Sequence, residues 1–184
     1  MFEGPKTSFK FALTLAACIV LRFVQLVPNV EPVMATTLPV SKALGKYAGF
    51  AFAFVSIAAI DFAMGKVGLW TAYAALAYGA IGFAASEYFS AAGAKGKISR
   101  KHYVGFAIIG TLFYDAVTAF LFGLQFNQPL AITFAGQLPF TAYHLLGNIA
   151  FAALLSPAIQ AWVFENKALD RAIESAAHGA RTIA

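Results

Sequence analysis

Five apolar runs, each near or beyond the ~20 residues that carry a helix across ~30 Å of hydrocarbon, occupy residues 9–27, 47–64, 69–92, 103–124 and 138–164. A shorter run, 33–44, holds Pro39 and few charges and reads as a sixth, imperfect span. The expectation is an all-α integral membrane protein, a single domain over residues 1–184 with six transmembrane helices, the second short or irregular. An even number of spans returns both termini to one face.

The cations say which face. Lys and Arg resist translocation, so short cytoplasmic segments are enriched in them. Lys6 and Lys10 stand at the start of the first run, and Lys42 and Lys46 at the junction of the second and third. Lys95, Lys97, Arg100 and Lys101 separate the fourth from the fifth, and Lys167, Arg171 and Arg181 follow the last. These are 11 of the 13 Lys and Arg residues, and six spans put all of them on the cytoplasmic side. Five spans would divide Lys6 and Lys10 from Lys42, Lys46 and the 95–101 cluster. The predicted setting is the plasma membrane, multi-pass, with both termini inside.

With 60% hydrophobic and 11% charged residues, the chain is far from the balance of a soluble domain. Its net charge of +5 calls for no nucleic acid, since the inside bias and anionic inner-leaflet lipid account for it. The single cysteine, Cys18, reads as a small core residue. The first run is too long for a secretory leader and no small-residue cleavage site follows it, so it is expected to stay as an anchor. Residues 165–184 alternate charges with alanine and are expected to continue the last helix into the cytoplasm and then fray.

Orientation gives each polar residue a depth. Arg22 and Gln25 fall in the outer half of the first helix, with Asn29 and Glu31 at its mouth between Pro28 and Pro32. Asp61 lies one turn from the outer end of the third helix, and Trp70, Thr71 and Tyr73 open the fourth. Tyr114, Asp115 and Thr118 stand at mid to outer depth of the fifth, and Thr141, Tyr143, His144 and Asn148 open the sixth. Polar groups inside a bilayer cost a few kcal/mol or more unless they face protein or water. Groups drawn from five helices and gathered in the outer half therefore predict a cavity open to the outside above an apolar floor. Aromatic and hydrogen-bonding groups together suit a flat or amphipathic organic ligand.

The candidate substrate-binding residues are Asn29, Glu31, Trp70, Tyr73, Asp115, His144 and Asn148. Glu31 and Asp115 would accept hydrogen bonds or balance positive charge, Trp70 and Tyr73 would stack, and His144 with Asn148 would fix orientation. Each has a plainer reading: Trp70 and Tyr73 as interfacial aromatics, Glu31 as a solvated carboxylate, His144 and Asn148 as an interhelical hydrogen-bonding pair. Arg22 reads as a structural partner of Glu31 or Asp115, and Asp61 either joins the cavity or caps near the 65–68 turn. Ala12 and Ala16 in the first helix, and Ala75, Gly79 and Gly82 in the fourth, have the small-residue spacing of close helix packing.

Three stretches carry a likeness to a family: 21–35 (LRFVQLVPNVEPVMA), 68–85 with its Gly-x-Trp-Thr start, and 138–155 (LPFTAYHLLGNIAFAALL). With its length and six-helix layout, the chain resembles the substrate-binding (S) components of energy-coupling factor transporters, along almost its whole length. What the resemblance implies is a high-affinity capture subunit for a vitamin-like molecule, with an outward-facing site. It also implies docking through Ala12 and Ala16 onto a transmembrane coupling subunit served by two cytoplasmic ATPases, and no cofactor of its own. No G-x-x-x-x-G-K-[ST] loop occurs in the chain, so ATP would be used only by the partners.

Two other functions compete. A membrane-embedded enzyme acting on a lipid could use Glu31, Asp61, Asp115 or His144 for acid–base chemistry, but no H-E-x-x-H or G-x-S-x-G motif is present, and one histidine within the bilayer makes a metal site a poor expectation. A self-sufficient secondary transporter is expected to show internal repeats and broken midplane helices; only the second helix looks broken.

Overall fold

The computed structural model describes residues 4–24 and 30–183, with residues 179–183 described by backbone alone. Among them the regular elements are all helical: α1 (Pro5–Phe23), α2 (Val33–Leu44), α3 (Lys46–Ala63), α4 (Leu69–Lys95), α5 (Arg100–Gln125), α6 (Leu130–Ile159, closing in a π-helical turn Gln160–Phe164) and α7 (Lys167–Ile183). Four of them are long and apolar enough to cross a membrane: α3, α4, α5 and α6 with its π-turn, at 18, 27, 26 and 35 residues. Large apolar side chains lie exposed along their outer faces, among them Phe62, Leu76, Ile109, Leu146 and Leu154. In water such a surface would aggregate, whereas in lipid it costs nothing.

The short helix lies at the centre. α2 has 12 residues, about 18 Å at 1.5 Å per residue, too short for the hydrocarbon core alone. Val33 through Ser41 are buried without a break, and α2 touches α1, α3, α4, α5 and α6. A helix buried on every side, its Thr36, Thr37 and Ser41 included, is one that other helices enclose. Pro39 does not break it. Proline has no N–H, so the carbonyl four residues earlier, that of Ala35, loses its helical donor; the Ser156 hydroxyl of α6 donates to that oxygen at 2.7 Å. In a medium without water such a repair is required, and it ties α2 to α6.

Around α2, the hairpins α3–α4 and α5–α6 make the most extensive contacts. At the α3–α4 crossing the backbones of Gly49 and Gly82 come so close that a Cβ on Gly82 would collide with the Gly49 carbonyl. The small residues of the fourth helix thus serve packing within the chain. Ala12 and Ala16 are different: both lie exposed on α1, beside Leu13 and Val20.

Two boundaries depart from expectation. α6 starts at Leu130, eight residues ahead of the apolar run; Pro129 stands at its N-cap, and the Ile132 and Thr133 N–H groups bond back to its carbonyl. The tail does not continue α6. The chain turns at Glu165, and the Asn166 side chain accepts the backbone N–H groups of Ala168 and Leu169 at 3.0 and 3.1 Å, starting a new helix. α7 then lies against α1. Buried Lys10 binds Asp170 at 2.6 Å and donates to the Phe164 carbonyl at 3.2 Å, while Lys6 pairs with Glu174 at 2.6 Å. A cation on a terminal carbonyl is what a helix C-terminus favours.

Candidate functional site

On α5, Thr111 and Asp115 are one turn apart on one face; on α6, His144 and Asn148 are placed the same way. Where the helices meet, the pairs form two rungs. His144 Nδ1 lies 2.8 Å from Asp115 Oδ1, and Asn148 Nδ2 donates to Thr111 Oγ1 at 2.8 Å. From α4, the Tyr78 hydroxyl donates to Glu31 Oε1 at 2.7 Å and lies 3.2 Å from His144 Nε2. Arg22, near the end of α1, brings Nε within 3.3 Å of Glu31 Oε2. Tyr114 packs on Tyr78 with ring centroids 4.5 Å apart and meets His144 edge-on at 5.4 Å, while Phe140 closes the other side at 5.6 Å.

Gly147 explains why Glu31 reaches this place. A Cβ there would stand 2.9 Å from the Val30 Cα, so only glycine lets the segment leading into α2 lie on α6. That contact sets the next residue, Glu31, against Tyr78 and His144.

The cluster is almost dry. Asp115, His144 and Asn148 are at most 2% exposed and Glu31 is 8% exposed. Two acceptors in it, Asp115 Oδ2 and Asn148 Oδ1, have no partner among the described residues. An orphaned buried acceptor costs free energy and marks a place where a donor belongs.

The chain Glu31–Tyr78–His144–Asp115 can hold one proton in two ways. The ring can carry it on both nitrogens, with Tyr78 donating to Glu31; or Glu31 can carry it, donating to Tyr78 while Tyr78 donates to Nε2. The two forms differ by a shift of protons along hydrogen bonds already in place.

The sequence candidates separate accordingly. Glu31, Asp115, His144 and Asn148 come together, and Arg22 takes Glu31 as its partner. Asp61 stands apart: its carboxylate accepts from the Thr71 hydroxyl at 2.6 Å, and Thr71 Oγ1 in turn accepts the Gly68 N–H at 3.1 Å, closing the turn into α4. Asn29 lies outside the described residues. Tyr73 is half-buried near the start of α4.

Trp70 lines a separate cavity of about 420 Å³ between the ends of α4, α5 and α6, with Phe122, Gln128, Ile132, Thr133 and Gln137. Its ring meets Phe122 edge-on at 6.1 Å. Ala119 also lines this cavity and lies one turn along α5 from Asp115, ~6 Å of rise. On α6 the nearest lining residue, Gln137, is seven residues from His144, ~10 Å of rise, so the open cavity lies toward the same ends of these helices, apart from the closed cluster.

Tyr78 and Thr111 are functional candidates that sequence reasoning passed over. Both had a signal: Thr111 stands four residues before Asp115, as His144 stands four before Asn148. Tyr78 is the one hydroxyl-bearing aromatic in the buried stripe Thr71, Ala74, Ala75, Tyr78, Gly82, Ala85, Phe89. Neither protein-family models, curated proteins nor solved structures contain a match to this chain.

Proposed function

We propose that this chain is the substrate-capture subunit of an ATP-driven importer for a vitamin-like micronutrient, a six-span protein of the plasma membrane with both termini in the cytoplasm. In this reading α1 and the enclosed α2 are the two further spans. The segregation of cations supports it, since six crossings place all 11 cations of the gaps and tail on one side. The carrying observation is the cavity of about 420 Å³ between the same helices as a buried cluster that holds two acceptors without a partner among the described residues. A ligand entering past Trp70 and displacing the 30–32 segment would find Asp115 Oδ2 and Asn148 Oδ1 ready to accept its donors, with Tyr78 and Tyr114 as apolar walls. Partner subunits, a transmembrane coupling protein and two ATPases, would supply the energy and dock on the exposed Ala12/Ala16 face of α1.

The test is a vitamin screen by thermal unfolding of the purified chain. A ligand at about 100 times its Kd adds roughly 2.7 kcal/mol. Asp115→Asn and Asn148→Ala should each abolish the shift, and a shift that survives both removes the site assignment.

One observation favours a second reading, a self-sufficient secondary transporter. A carboxylate–tyrosine–histidine–carboxylate chain within a membrane bundle is the material of a proton relay. Uptake by proteoliposomes holding this chain alone, driven by a proton gradient and lost in His144→Phe, would establish it in place of the first.

A further inference from the structure

The face opposite the cluster carries a second built cavity, of about 310 Å³, between the end of α2, the start of α5 and the π-turn that closes α6. Lys42, Lys97 and Arg100 line it. The one carboxylate there, Glu165, is already engaged: Lys42 lies 3.2 Å from it and the Gln160 amide donates to it at 2.8 Å. Three cations against one carboxylate leave the cavity with two positive charges in excess. α5 begins at Arg100, so the positive end of a 26-residue helix points the same way.

A second, independent observation points to a ligand. Tyr103, lining the cavity and only 3% exposed, carries a hydroxyl with no partner among the described residues. Gln160, 8% exposed, also lines the cavity and has its Oε1 without a partner among the described residues. A buried phenol and two surplus cations are donors in search of an oxyanion. An unfilled amide oxygen asks in addition for a hydroxyl or amine. Ile98 and Pro157 give the cavity an apolar side. The π-turn builds the wall: its wider ring, closed by the Glu165 N–H on the Gln160 carbonyl at 2.9 Å, sets Gln160 and Glu165 side by side. Such turns recur at functional sites.

The geometry points to a phosphate-ester site at the membrane boundary on the basic face, formed by Lys97, Arg100, Tyr103 and Gln160. The phosphate is that of an anionic lipid headgroup such as phosphatidylglycerol, whose glycerol hydroxyls also meet the Gln160 oxygen. Basic pockets between membrane helices on the inner side are suited to such headgroups. This site is separate from the Asp115–His144 cluster and does not depend on what that cluster binds.

The test titrates the full-length chain in neutral detergent with short-chain phosphatidylglycerol, inorganic phosphate or short-chain phosphatidylcholine, reading the unfolding midpoint. Phosphatidylglycerol should give a saturable rise that phosphatidylcholine does not. Lys97→Gln with Arg100→Gln should weaken it roughly thirty-fold, at the strength expected per lost cation near anionic lipid. Tyr103→Phe, which removes one hydrogen bond and no charge, should weaken it about five-fold, and carries the test if the double variant does not fold. Lys95→Gln with Lys101→Gln removes the same charge outside the cavity and should leave the titration unchanged. Saturation by inorganic phosphate at comparable affinity would support the site with a soluble phosphate as its ligand. No saturable response to either, or equal loss in the Lys95/Lys101 variant, overturns it.

Discussion

Replacing His144 by Phe separates a charged core from an ordinary interhelical hydrogen bond. An average side-chain hydrogen bond between membrane helices is worth ~0.6 kcal/mol, and His144→Phe would cost little if its bond to Asp115 were of that kind. The structure implies more. Asp115 is 2% exposed, its Oδ2 has no partner among the described residues, and Oδ1 has His144 at 2.8 Å. Without the imidazole both oxygens are stranded, and breaking a buried charged pair from one side costs about 3–5 kcal/mol. Glu31 is spared, because Arg22 and Tyr78 still hold it. The companion change Asp115→Leu removes the stranded group, so the double variant His144→Phe/Asp115→Leu should recover at least ~2 kcal/mol relative to His144→Phe alone. Loss of helicity on titration with SDS in mixed micelles, followed by circular dichroism, gives the four free energies of the cycle. A cost below about 1 kcal/mol for His144→Phe, or effects that simply add in the double variant, refutes the charged-core reasoning.

Gly147→Ala should destabilise by about 1–3 kcal/mol, the range for overpacking, because its Cβ would stand 2.9 Å from Val30 Cα; a neutral result in the same SDS titration means that the 30–32 segment does not rest on α6. Asn166→Ala should cost α7 about 1 kcal/mol by removing its cap, seen as faster amide exchange at Ala168 and Leu169, while exchange in α5 stays unchanged. Lys10 holds the Asp170 carboxyl below its ordinary range through a hydrogen bond, and the Gln160 amide, then Lys42, does the same for Glu165. Depressed carboxylates contribute stability that is full above their unfolded value of ~4 and lost as pH falls through the folded one. The α1–α7 contact should therefore persist from about pH 7 to about pH 5 and open only below about pH 4. A spin-label distance between the two helices reports it, and separation near pH 6 contradicts the assignment. At the alkaline end Glu174 raises Lys6 through its hydrogen bond, so that pair is complete below ~10.4 and lost as pH climbs through the raised value.

Helix existence and approximate extent were legible in the linear chain because an apolar run offers its backbone no polar side chains to bond with. A run of some twenty apolar residues must satisfy its own N–H and C=O groups, and it does so locally. Hence the expected runs 33–44, 47–64, 69–92 and 103–124 return within a few residues as α2, α3, α4 and α5. The same logic marked Asp115, His144 and Asn148, since polar groups in apolar helices have to be sheltered. Which groups meet was decided by packing alone. Glu31 joins His144 through the contact of Val30 with Gly147, Asp61 turns instead to Thr71, and Tyr78 enters from a helix whose small residues gave it no company. α2 passed for a broken span because the repair of its proline comes from Ser156, 121 positions from the carbonyl it serves. Hydropathy is a property of each segment, readable one residue after another; a hydrogen bond across the bundle depends on two segments at once, and only the folded arrangement specifies it.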